Sequence, residues 1–115
     1  MKRLLVILLS GFALSANASV VYTSPNPIDE FWTWTENSGG VAGDVLMKMT
    51  TGVNECPLGV YLKHSTFAKN LVSTSLAAYM AKKPVVFQVY NDSDRFWSGS
   101  AKPYCEIRAI RLPKE

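Results

Sequence analysis

Two cysteines, one histidine and, beyond residue 18, no long apolar run are the notable scarcities of this 115-residue sequence. Each excludes something. His64 stands alone, with Ser65 and Thr66 beside it but no G-x-S-x-G context, so a nucleophile triad has no support and a surface or helix-capping role is the expectation. Cys56 and Cys105 have no second Cys or His cluster with them, which removes a zinc-type ligand set. Asp92, Asp94 and Glu106 lack the glycine and bidentate glutamate of a known calcium loop. No metal and no cofactor is expected. Charge of one sign is also scarce. The formal +3 includes Lys2 and Arg3, without which ten basic residues face nine acidic ones, interleaved along the chain. That balance leaves no electrostatic footprint for nucleic acid. There is no internal repeat and no low-complexity stretch.

What is present begins with the amino terminus. Lys2 and Arg3 precede the apolar run Leu4 to Leu9, which continues through Phe12 and Leu14 to Ala16-Asn17-Ala18. This is the layout of a secretory signal peptide over residues 1–18, too short to span a bilayer stably. The chain is therefore expected to be secreted or periplasmic, with residues 19–115 as a single domain. Export places Cys56 and Cys105 where disulfides persist, and a domain this small gains from such a staple. A Cys56–Cys105 bond is predicted.

Residues 19–27 carry Pro25 and Pro27 and read as an arm or turn. Strands are predicted over 28–36, 43–50, 59–63, 85–90 and 104–112, with a turn at Asn37-Ser38-Gly39-Gly40. In the second of these, Val45, Met47 and Met49 share one face and Asp44, Lys48 and Thr50 the other, with Leu46 out of phase. Between the third and fourth, Phe67 to Lys82 has helical spacing, Thr66 as N-cap, Lys82 and Lys83 in the last turn and Pro84 as stop. The last strand switches its apolar face at Ile110 and Leu112, which predicts a bulge or a strongly coiled strand. The resulting order is β-β-β-α-β-β, mainly β with one helix.

The candidate site residues are aromatic. Trp32 and Trp34 stand two apart, so a strand points both to one side and Phe31 to the other. A surface indole pair beside acids and amides stacks on the apolar face of a sugar ring, with flanking polar groups fixing orientation. The same surface could hold a peptide or a partner subunit. A small core accommodates about one indole of the pair without overpacking. At least one of Trp32 and Trp34 is therefore expected to be exposed. Trp97, in the polar loop from Asn91 to Pro103, is expected to join the accessible set, with Tyr90 and Asp94 nearby. Asp29, Glu30 and Glu36 read as solvated acids rather than a glycosidase pair.

From Gly43 to Leu112 the pattern resembles a known family. It consists of strands and a cysteine, then an amphipathic helix running into a strand in "FAKNLVSTSLAAYMAKKPVVFQVY". A loop bearing an aromatic follows, then a closing strand with the second cysteine. It is similar to the small secreted B subunits of subtilase cytotoxin and pertussis-like typhoid toxin. That resemblance implies a five-stranded OB-like β-barrel capped by a helix, a ring pentamer, a sialylated glycan as ligand and a catalytic A-type partner subunit. The family's serine-containing stretch falls on "YTSPNPIDEFW", where Ser24 is the matching candidate. The expected function is that of a non-enzymatic, glycan-binding subunit. The alternative is an envelope structural or interaction protein, or a periplasmic inhibitor, with no sugar pocket.

Overall fold

The computed structural model describes residues 19–34, 42–65 and 68–114. The expected signal peptide, the turn expected at 37–40, Glu36, Thr66 and Phe67 lie outside the described residues. Six strands, β1 (Val20–Tyr22), β2 (Ile28–Thr33), β3 (Val45–Met49), β4 (Gly59–Leu62), β5 (Val86–Tyr90) and β6 (Cys105–Arg111), form one mixed sheet in the order β1-β5-β6-β4-β3-β2. Among the described residues one α-helix, α1 (Lys69–Met80), lies between β4 and β5 in the chain. All neighbours are antiparallel except β4 and β6, which run parallel.

Two expectations are corrected. The sheet has six strands instead of five, because the arm predicted over 19–27 contains β1, which pairs Val20 with Tyr90 and Tyr22 with Gln88. The sheet is also open instead of a closed barrel. Its edges β1 and β2 are joined in the chain by residues 23–27, yet no ladder links them. Pro25 and Pro27 explain the gap, since neither has an N–H to donate to a ladder. Pairing survives only between those prolines and before them. The Thr23 N–H donates to the Phe87 carbonyl (2.9 Å), and Asn26 exchanges backbone bonds with Val85 (3.2 and 3.0 Å). At a maximal reach of ~3.5 Å per residue, so short a link draws the two edges toward each other and curls the sheet around its core.

The inner face carries the main core. Val45, Met47 and Met49 of β3 meet Val60 and Leu62 of β4, Phe87 and Val89 of β5, and Ile107 of β6, all buried. Helix α1 covers this face with Ala68, Leu71, Val72, Ser75, Ala78 and Tyr79, a spacing of three and four residues. Leu76 and Met80 point away from this face, at 42% and 72% exposure. The predicted bulge is present. Gln88 pairs with Ala109 and Val89 with Ile107, so Arg108 is the unpaired residue and the face of β6 switches after it.

The helix C-terminus differs from expectation in an instructive way. Lys82 and Lys83 fall beyond the last turn, and Lys82 adopts a left-handed φ of 55°. Its N–H bonds the Tyr79 carbonyl (3.1 Å) and the Lys83 N–H bonds the Ala78 carbonyl (2.9 Å). This is a Schellman ending with lysine where glycine is favoured. Lys82→Gly is therefore expected to stabilise the protein by about 1 kcal/mol and raise Tm by about 4–8 °C in a thermal scan. An unchanged or lower Tm would show that the Lys82 side chain offsets its backbone strain.

The predicted disulfide is present. Cys56 and Cys105 are bonded, their Cα atoms 5.7 Å apart and both side chains fully buried. A disulfide fits an oxidising compartment. Among the described residues no helix is long and apolar enough to cross a membrane.

Candidate functional site

The loop from Asn91 to Tyr104 folds over the outer face of the sheet at β3 and β4. Leu46 and Tyr61 face each other across those two strands. Both are buried, and with Trp97 and Tyr104 they make a second apolar cluster, against which Trp34 packs. The out-of-phase Leu46 thus belongs to a separate small core. Its cross-strand partner Tyr61 donates its hydroxyl to the Arg95 carbonyl (3.0 Å), which holds the loop down. Burial pushes the Tyr61 phenol well above its ordinary range, aided by the charges of Glu106 and Asp44, so it remains a neutral donor.

Trp97 corrects the expectation of an accessible indole. It is only 6% exposed and plugs the loop onto the sheet. Its backbone N–H bonds the Tyr104 carbonyl (3.0 Å), closing the loop's neck. Its ring meets Tyr104 edge-on at 5.9 Å between centroids and Trp34 at a tilt, 5.1 Å away. The indole Nε1 donates to Asp44 Oδ2 (3.1 Å), while Asp44 Oδ1 accepts the His64 backbone N–H (2.8 Å). A polar loop can bury a tryptophan because one buried carboxylate satisfies its only donor. Asp44 lies on the Leu46 side of β3, as the alternation predicts, and is buried there under the loop that carries Trp97. Gly43, at φ +84°, makes the turn that leads into β3. A Cβ at Gly43 would also collide with the His64 ring, so the turn and the histidine fit each other closely.

Trp32 and Trp34 behave as their spacing predicts. They stack at 5.8 Å between centroids with planes 19° apart, while Phe31 points the other way and stacks on Tyr79 of α1. Trp32 is 47% exposed and Trp34 partly buried. The three tryptophans therefore form a ladder from the buried Trp97 through Trp34 to the exposed Trp32. Polar groups orient its outer end. Trp32 Nε1 donates to Glu30 Oε1 (2.8 Å), and Lys48 Nζ sits 6.0 Å from the ring centroid and 4.0 Å from Glu30.

The remaining candidates divide. Tyr90 lies under the guanidinium of Arg95, whose Cζ is 4.0 Å from the ring centroid. Arg95 also pairs with Asp92 (3.5 Å) and Glu106 (3.8 Å), so a cation already sits among the acids considered for calcium. Asp94 is exposed on the lip of the same loop. A hydrogen bond with the Asp92 carboxyl, and repulsion from its charge, raise the Asp94 pKa above the ordinary carboxylate value. Ser24 is not brought to this place. Its carbonyl accepts from Asn26 Nδ2 (2.7 Å), whose side chain also bonds Thr51, at the Met49 end of β3. Asp44 and Trp97 are at the Val45 end, so the structure separates Ser24 from the tryptophans. Among the predicted acids, Asp29 accepts the Thr50 hydroxyl (2.7 Å).

Sequence reasoning missed Asp44, Tyr61, Arg95, Tyr104 and Glu106. The available signal was the pair of out-of-phase apolar residues, Leu46 and Tyr61, which needed a cover on the outer face. Compared with family models, curated proteins and solved structures, the chain matches none.

Proposed function

We propose that the protein is an exported, non-catalytic binding subunit that takes a glycan on the Trp32–Trp34 platform. One observation carries this reading: a half-exposed indole held flat and rigid from behind by a second and a third. An exposed tryptophan with no partner is ordinary surface. A stacked ladder anchored by a buried hydrogen bond to Asp44 is a preorganised flat surface, which lowers the ordering cost of binding. Glu30 and Lys48 at its edge supply an acceptor and donors for sugar hydroxyls. The strand order is part of the proposal. In OB-type oligosaccharide binders the ligand meets strands 2 and 3 and the 1–2 and 4–5 loops. The corresponding elements here are β3, β4, the Ala42–Asp44 turn and the Asn91–Tyr104 loop, where the ladder stands. Trp32→Ala is expected to abolish binding to a glycan array while shifting Tm by less than about 2 °C, as for a surface change. Retained binding would remove the platform from the function.

Self-association belongs to the same proposal. Leu76 and Met80, one turn apart on the outer face of α1, make an apolar stripe that a second copy would cover. The toxin-like reading adds a pentamer and a catalytic partner chain. Met80→Glu is expected to convert the assembly to monomer in light scattering at tens of micromolar. A wild-type monomer under those conditions would favour a lone envelope or periplasmic interaction protein.

A further inference from the structure

Two depressions meet at Trp97. On one side lies a shallow groove of about 240 Å³ lined by Trp32, Trp34, Lys48, Ser100 and Tyr104. On the other is a deeper cleft of about 590 Å³ between the end of β4 and the loop, lined by Asp44, Tyr61, Lys63, Asp94, Arg95 and Glu106. Trp97 borders both. Its buried indole, tied to Asp44, is the partition between them. The groove is smaller than the ~300–1,000 Å³ of sites that enclose a small molecule, whereas the cleft falls inside that range. The exposed stacking surface and the enclosing volume therefore sit in different places, separated by the width of one side chain.

The charges of the cleft restrict what can enter it. Lys63 and Arg95 face three carboxylates, those of Asp44, Asp94 and Glu106, with His64 at the rim. Arg95 is already engaged by Asp92 and Glu106 and lies on Tyr90. Asp44 is buried, with two neutral donors as its partners. Each of its oxygens keeps a second lone pair for a further donor. A ligand rich in hydroxyl or ammonium donors complements this lining. A ligand carboxylate would instead lose its hydration beside the buried Asp44 and the mostly buried Glu106, which disfavours it strongly.

We infer that the ligand is an uncharged or amine-bearing oligosaccharide of two or more rings, laid across Trp97 with one ring on Trp32 and its end in the cleft. The inference rests on the glycan reading above and narrows it: chain length and the absence of negative charge become the selected features. A sialylated ligand is disfavoured on the same grounds.

The test begins with the full chain on an array of neutral, amino and sialylated glycans of one to four rings. Calorimetry follows with N-acetylglucosamine, chitotriose, the glucosamine trimer, sialyllactose and the strongest array hit with its shorter fragments. The expected hits are neutral or amino glycans, with affinity rising about tenfold or more from one ring to three as the second depression is engaged. Asp94→Asn, on the exposed lip and outside both cores, is expected to flatten that length dependence. Trp32→Ala is expected to remove binding at every length. Hits dominated by sialylated glycans, affinity indifferent to length, or an unaltered length dependence in Asp94→Asn would each overturn the inference while leaving the platform standing. A blank array would overturn the platform reading and this inference together.

Discussion

Trp97→Ala is expected to cost about 3–5 kcal/mol, a large part of the stability of a domain this small. Three losses combine at that position. The indole fills the space between Leu46, Tyr61 and Tyr104, and deleting it leaves a cavity that a loop clamped at both ends cannot collapse into. Asp44 loses its Nε1 donor and stays buried with one hydrogen bond fewer. A hydrogen bond to a charged group contributes about 1.5–3 kcal/mol. Trp34 loses the ring it leans on, so the ladder no longer holds Trp32 flat. Trp97→Phe separates these effects. It keeps most of the packing and removes the donor, so denaturant unfolding should place it between wild type and Trp97→Ala. Asp44→Asn with Trp97→Phe should recover part of the loss, because an amide tolerates burial without a charge to satisfy. A Trp97→Ala variant with wild-type Tm would show that the loop does not depend on its plug, and the second cluster would not be a core.

The inner core was legible because it obeys one period. Val45, Met47 and Met49 alternate, as do Val85, Phe87 and Val89, and α1 places apolar residues three and four apart on one side. The disulfide was legible from two cysteines in a chain expected to be exported, and the bulge at Arg108 from the face switch of β6. The outer cluster was harder to see because its four members come from three distant segments, with no period among them. Trp97 sits in a sequence of Asp, Ser, Gly and Lys that has the composition of exposed loop. What lets it be buried is Asp44, itself buried on the Leu46 side of β3, which accepts its only donor. Strand β1 was missed for a related reason. Pro25 and Pro27 dominate the reading of residues 19–27, yet the short apolar start Val20-Val21-Tyr22 precedes them and finds the free edge of β5. The open sheet follows from the same prolines, which a pattern of strand count and helix position does not register.

Removing the disulfide is the other change with a large expected effect, and the topology says where it acts. The sheet divides into β1-β5-β6 and β4-β3-β2, and among the described residues the one ladder between the halves is the parallel β4–β6 pairing. That ladder is the shortest in the sheet, pairing Val60 with Cys105 and Tyr61 with Glu106, and parallel pairing is the weaker kind. Cys105 is itself part of it. Cys56 sits in the tight turn just before β4, bridged to Val53. The bond therefore staples the two halves at their thinnest joint. With a sequence separation of 49, the chain-entropy model gives about 4 kcal/mol for the closed loop. Two fully buried side chains add a packing loss when both are replaced by alanine. Cys56→Ala with Cys105→Ala is expected to lower stability by about 2–5 kcal/mol in urea unfolding. Amide hydrogen exchange should then locate the damage. Protection should fall most at Val60, Tyr61 and residues 105–107, and least in the β2–β3 pair, which lies within one half and has its own antiparallel ladder. Uniform loss of protection across the sheet would mean that the disulfide acts on the unfolded chain alone. Loss confined to the β4–β6 joint would place it as the clamp that keeps Tyr61 under Arg95, and with it the floor of the Trp97 site.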